Sequence, residues 1–120
     1  MTSRPKTIFC DIDGTLVEHN PPSVVTDPEF KLKLLPKTIE KLQEWDRKGY
    51  NIILVTGRKE SLRKSTETQL AQVGIFYDKL IMGIGGGERV VINDFKPDSN
   101  TPTAAHFCLN RNYGISNVDI

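Results

Sequence analysis

Cysteine is scarce in this 120-residue sequence. Cys10 and Cys108 are the only two, each in an apolar setting and without the spacing of a metal site. They read as reduced core thiols of a cytoplasmic protein rather than as a disulfide. Long hydrophobic runs are also missing. None approaches the ~20 residues needed to cross a bilayer, and the N-terminal MTSRPK leads into a strand rather than a signal-peptide core, so no membrane partner is expected. Charge of one sign is lacking too: the formal net charge is +1 with acids and bases interspersed, which gives no basic footprint for nucleic acid. The two histidines, His19 and His106, have no partner at metal-ligand spacing and read as surface or packing residues. Trp45 is the single tryptophan, at a core-facing helical position. There is no repeat, low-complexity tract or linker, so residues 1–120 read as a single domain.

What is present is a set of short apolar runs that each end on a polar residue: TIFCD at Asp11, NIILVT at Thr56 and RVVIND at Asp94. Unbroken apolarity over so few residues suits strands buried on both faces, as in parallel sheets. Between the first two runs, Leu35, Ile39, Leu42 and Trp45 recur at helical spacing, with Pro36 in the first turn and Gly49 at the end. Residues 59–73 are rich in helix formers and stop at Gly74. KLIMG reads as a weaker strand, residues 101–109 as a further helix ending at Gly114, and ISNVD as a last edge strand. Alternating strands and helices predict an α/β, three-layer Rossmann-like domain with a mainly parallel sheet. The GIGGG stretch, Gly83 to Gly87, is too short to hold a crossover helix. It is either a plain tight connection or a backbone cradle for phosphate.

In an open parallel sheet the carboxyl ends of the strands share one edge, where ligands bind. Asp11, Thr56 and Asp94 are expected to meet there. Side chains two apart on a strand point the same way, so Asp13 joins Asp11 while Ile12 enters the core. Gly14 then lets the chain turn away. Clustered carboxylates repel unless a cation sits among them, and an all-oxygen set suits Mg²⁺. Thr56, Gly57 and Arg58 add a hydroxyl, a backbone N–H and a guanidinium, a receiver for an oxyanion such as phosphate. Asp98, in KPDSN, reads equally well as a turn former.

These residues resemble the haloacid dehalogenase (HAD) superfamily of phosphotransferases. The D-x-D-G-T motif stands as Asp11-Ile12-Asp13-Gly14-Thr15, the strand ending in Thr or Ser as IILVT with Thr56, and the acidic strand end as VIND with Asp94. The resemblance implies a HAD-like fold in which Asp11 is the nucleophile and Asp13 the acid and base. It implies Mg²⁺ held by Asp11, the Asp13 carbonyl and Asp94, with phosphoryl oxygens on Thr56 and the Gly57 N–H. A carboxyl at position 13 points to phosphate esters rather than haloacids. The superfamily's basic residue is missing from its usual place: Arg89 would begin the strand at the wrong end of the sheet, so Lys96, ahead of Lys64, is the expected substitute. Residues 17–35 are long enough for a flap or loop insertion but not for a separate cap domain.

The expectation from sequence is a Mg²⁺-dependent phosphomonoester hydrolase for a small phosphorylated metabolite, such as a sugar phosphate, in a homo-oligomer. Two other readings stay open: a phosphatase for a macromolecular end, such as a nucleic-acid 3′-phosphate or a phosphoprotein, and a non-catalytic binding module on the same fold.

Overall fold

A computed structural model describes residues 4–27 and 29–120. Residues 1–3 of MTSRPK, and Pro28 of the expected flap, lie outside the described residues. The first strand, β1 (Thr7–Asp11), is followed by a short helix α1 (Pro22–Val25), helix α2 (Thr38–Arg47) and strand β2 (Asn51–Val55). A 3₁₀ turn at Glu60–Leu62 then leads into helix α3 (Arg63–Gln72) and strand β3 (Lys79–Ile81). The three strands are parallel in the order β1-β2-β3, with Cys10 opposite Leu54, Asp11 opposite Val55 and Leu54 opposite Leu80. The α/β class and the parallel sheet expected from sequence are therefore what the chain forms.

Both crossovers move across the sheet in the same direction, so right-handed connection puts α2 and α3 on the same face. Ile8, Cys10, Ile52, Leu54 and Leu80 point to that face and pack with Leu42 and Trp45 of α2 and Leu70 of α3. Ile12 and Leu16, from the turn after β1, close the core at the carboxyl end, and Ile115 and Val118 join it from the chain's last residues. The opposite face, carrying Thr7, Phe9, Asn51, Ile53, Lys79 and Ile81, lines a shallow groove of about 430 Å³. No described helix covers it.

α2 begins two residues after Pro36, because Lys37 takes a left-handed φ of 65° at the cap. Gly49, at φ 78°, turns the chain into β2. The expected flap is a short excursion whose base is held by bridges of Val17 to Asp13 and to Leu34. Val25, Leu32 and Leu35 from it are buried.

Three expectations fail beyond residue 83. RVVIND forms no strand, residues 101–109 form no helix, and ISNVD turns instead of pairing. Residues 83–113 instead make an exposed arm. Cys108 lies on it as an exposed free thiol, not in the core. The arm explains a Cα radius of gyration of 15.4 Å, against about 14 Å for a compact domain of this length. Local composition made these segments look like buried elements, but a strand forms only where another strand's edge receives it.

Candidate active site

β1 alternates, with Ile8 and Cys10 buried and Thr7, Phe9 and Asp11 on the other side. The chain then coils tightly: the Ile12 carbonyl accepts from the N–H groups of Thr15, Leu16 and Val17, and the Gly14 N–H donates to the Val17 carbonyl at 2.7 Å. Gly14 sits at φ 88°, and a Cβ there would come within 3.1 Å of the Arg111 side chain. This turn fixes Asp13 just beyond Asp11 with Ile12 fully buried between them.

Asp13 is clamped by Arg58. The Arg58 Nε donates to Asp13 Oδ2 at 2.9 Å and Nη2 to Oδ1 at 2.8 Å, a two-point fork. Its Nη1 donates to the Thr66 hydroxyl at 3.2 Å and to Gln69 Oε1 at 2.8 Å. Four of the guanidinium's five N–H groups are thus used. The Arg58 side chain is 6% exposed and that of Asp13 20%, so the pair is largely withdrawn from water. Arg58 was expected to receive an oxyanion. Here it holds a carboxylate in place, because Asp13, Thr66 and Gln69 converge on it. The network continues into the flap, where Gln69 Nε2 donates to the Val25 carbonyl at 2.8 Å. Thr66 and Gln69 were not singled out from sequence. Their signal was two polar residues three apart on the face that also carries buried Leu70.

Asp11 keeps access to solvent, accepts a hydrogen bond from the Thr15 hydroxyl at 3.2 Å, and has its carboxyl held above the ordinary carboxylate range. Burial is the largest cause, and the neighbouring Asp13 charge adds to it. Hydrogen bonds from Thr15 and the Ile12 backbone oppose the shift, as does the positive charge of Arg89. Arg89 therefore stands where its charge reaches Asp11, contrary to the expectation that it lies at the far end of a strand. Its guanidinium is held by the carbonyls of Gly85 and Gly87. Behind Asp11, burial pushes the Cys10 thiol up to about 12, so it is an inert core group at neutral pH.

Thr56 is buried, and its hydroxyl accepts from the Arg58 N–H at 3.1 Å. Gly57 is exposed and tightly overlaid by the glycine-rich stretch: a Cβ there would meet the Gly85 carbonyl oxygen at 2.9 Å. The stretch is pinned by bonds from the Gly83 N–H to the Arg58 carbonyl and from the Ile84 N–H to the Thr56 carbonyl. It is a connection that crosses the site's rim.

Asp94 and Lys96 do not reach this place in the same chain. They pair with each other at 3.6 Å on the arm, and the Asp94 side chain is 80% exposed. Lys64 is an exposed residue of α3. Among the described residues no three acidic, histidine or cysteine side chains gather as a metal site. Within one chain the oxygen donors beside each other are Asp11 and the Asp13 turn. That set suits a hard cation completed by water and substrate oxygens, but it is short of the third carboxylate expected from sequence.

The profile of the family described as the polynucleotide kinase PNKP phosphatase domain, in the HAD superfamily, matches residues 5–90. The chain belongs to this phosphatase family. The match takes in the whole sheet, both long helices and the Asp11–Asp13 turn. A chain of the solved Pnkp1/Rnl/Hen1 complex is similar at 33% identity and a TM-score of 0.57, covering 75% of this chain and 32% of that one. A chain of the Pnkp1/Rnl/Hen1 RNA repair complex is similar at 34% identity and a TM-score of 0.54, covering 65% and 25%. This HAD domain thus spans a third or less of those two proteins. A solved protein from Vibrio cholerae shares the fold at 20% identity and a TM-score of 0.52, covering 73% of this chain and 79% of that one. Among the described residues no helix is long and apolar enough to cross a membrane.

Proposed function

We propose that this HAD domain is a Mg²⁺-dependent phosphomonoester hydrolase in which Asp11 is the nucleophile and Asp13 the acid and base. The observation that carries the reading is the Asp11–Asp13 pair at the carboxyl end of β1, with Asp13 locked by Arg58. An Asp11 oxygen attacks phosphorus, and the bond from phosphorus to the ester oxygen breaks. Asp13 delivers a proton to that departing oxygen. Arg58 occupies one lone-pair position on each Asp13 oxygen and leaves others open towards the substrate. Water, losing its proton to Asp13, then attacks the aspartyl-phosphate, and inorganic phosphate departs. Thr56 and the Gly57 N–H hold phosphoryl oxygens. Mg²⁺, when bound, would be held by Asp11 and the Asp13 carbonyl and would supply neutralisation of the phosphoryl charge.

The substrate in this reading is a small phosphorylated metabolite, handled by a single domain with residues 17–35 as flap. It is supported by the near-neutral charge, which gives no track for a polyanion. The second reading is a nucleic-acid end phosphate, favoured by the family's polynucleotide kinase description and by the RNA repair complex among the similar proteins. Phosphate release from an aryl phosphate with Mg²⁺, its loss on chelation, and its loss in Asp11→Asn test the chemistry. Full turnover in chelator, or in Asp11→Asn, defeats it. A panel pairing sugar phosphates with 3′-phosphorylated oligonucleotides separates the two substrates.

A further inference from the structure

Gln69 is a buried side chain of α3 with both ends of its amide engaged, one by the clamp on Asp13 and the other by α1. It is 3% exposed, its Oε1 accepts from Arg58 Nη1 at 2.8 Å, and its Nε2 donates to the Val25 carbonyl at 2.8 Å. Thr66, three residues earlier on α3, is fully buried and accepts from the same Nη1 at 3.2 Å. The two partners leave the amide one orientation, since a flip would set N–H against N–H at Arg58 and oxygen against oxygen at Val25. A carboxylate in its place would face the Val25 carbonyl with an oxygen, and an apolar side chain would meet neither partner.

The geometry at Arg58 turns this contact into a constraint on the acid. Nε and Nη2 form the fork on Asp13, while Nη1 is held by Thr66 and Gln69. A guanidinium is rigid and planar, so fixing Nη1 at two points fixes the plane in which the other two nitrogens meet the carboxylate. The tilt of the Asp13 carboxyl is therefore set from α3, and Gln69 is in turn set by the backbone of α1. Two side chains, Gln69 and Arg58, separate the Val25 carbonyl from Asp13. The same excursion of the chain also meets Asp13 at its base, through the bridge with Val17.

We infer that Gln69 is a positioning residue for the acid–base step: through Arg58 it sets the aim of Asp13, and it takes its own setting from the backbone of α1. The inference rests on the proposed reading of Asp13 as acid and base. When the bond from phosphorus to the ester oxygen breaks, the electron pair goes to that oxygen and the Asp13 proton follows it. The aim of the carboxyl matters in proportion to how much the leaving group needs that proton. An alkoxide needs it, whereas a nitrophenolate is stable as the anion and departs without it. A misaimed Asp13 therefore penalises alkyl phosphates and spares nitrophenyl phosphate, while a smaller folded fraction lowers both alike. By the same link, lifting α1 from Gln69 weakens the hydrolysis of alkyl esters first.

The test compares n-butyl phosphate with p-nitrophenyl phosphate, both with Mg²⁺, through kcat/KM, which covers the steps up to departure of the alcohol. Gln69→Leu should lower the value for the butyl ester by roughly 10- to 100-fold and that for the nitrophenyl ester by less than about 3-fold. Asp13→Asn should show the same bias more strongly, and adding Gln69→Leu to it should not increase the bias, because Gln69 acts through Asp13. Val25→Asp puts a charge at a buried position of α1 and should reproduce the bias, with hydrogen exchange quickened at the Thr26 N–H that now bonds the Pro22 carbonyl. Melting curves show which variants are folded at the assay temperature, and Gln69→Met, closer in shape, replaces Gln69→Leu if that one is not. Equal losses on the two esters in the Gln69 variant overturn the inference. Bias there but none in Val25→Asp, with Thr26 exchanging fast, overturns the part given to α1. No bias in Asp13→Asn, or no turnover of either ester by the wild type, defeats the reading of Asp13 itself, and the inference falls with it.

Discussion

Removing Arg58 tests how far this domain's stability depends on its candidate active site. The guanidinium is buried and makes four hydrogen bonds, to both Asp13 oxygens, Thr66 and Gln69. In Arg58→Ala a carboxylate that is only 20% exposed loses its counter-charge, and two buried side chains lose a partner. Breaking a buried pair from one side costs about 3–5 kcal/mol. Water reaching the exposed part of Asp13 and entering the vacated space recovers some of this, which puts the net loss at about 3 kcal/mol. A 120-residue domain unfolds with an entropy of roughly 0.25 kcal/mol per kelvin, so the midpoint should fall by about 12 °C. Arg58→Lys keeps a charge but loses the fork, and should lose about half as much. Calorimetry on both variants, on Asp13→Asn and on the double variant completes a cycle. Coupling between positions 13 and 58 should reach ~1–3 kcal/mol. A midpoint loss under about 2 °C, or additive single effects, would show that the pair is a passive surface contact and refute the reasoning.

Gly57→Ala pushes a methyl against the Gly85 carbonyl 2.9 Å away, so it should cost roughly 1–3 kcal/mol and reduce turnover as the glycine stretch shifts, checked by urea unfolding and steady-state kinetics. Gln69→Leu keeps the helix but leaves the Val25 carbonyl and one Arg58 N–H without their partner, for a loss of ~1–3 kcal/mol; hydrogen exchange should quicken across the flap around Val25 before it does in β2. Asp11 has its folded pKa raised chiefly by burial, so its contribution to stability is full below the unfolded value and is lost as pH rises through the folded one. Asp11→Asn should therefore have the higher melting temperature at pH 7 in chelator while being inactive, and wild-type turnover should climb with pH as that carboxyl ionises. A variant melting below wild type, with its fold otherwise intact, would contradict this.

Elements whose partners lie within one crossover were legible in the sequence. Ile39, Leu42 and Trp45 mark α2 by spacing alone, and TIFCD and NIILV mark two strands that pair directly. The glycine after α2 takes the left-handed φ that ends it. Arg58 was legible as a basic group at the strand end but not as a clamp, since its partner Asp13 is 45 residues away and no local pattern joins them. Gln69 was hidden for the same reason: a polar residue in a helix looks solvated until the group it meets is known. Arg89 would lie at the far end of the sheet only if RVVIND were one of its strands, and residues 89–94 form none.

RVVIND is the informative failure, because its composition asks for burial on both faces as strongly as TIFCD does. A sequence pattern states that a segment needs a sheet but not whose sheet it is, since identical edges are present on every copy of the chain. β1 carries the Asp11 nucleophile of the proposed reaction at the sheet's edge, where among the described residues only β2 pairs with it. An edge position exposes that strand to unwanted pairing, and the exposed Phe9 makes the exposure worse.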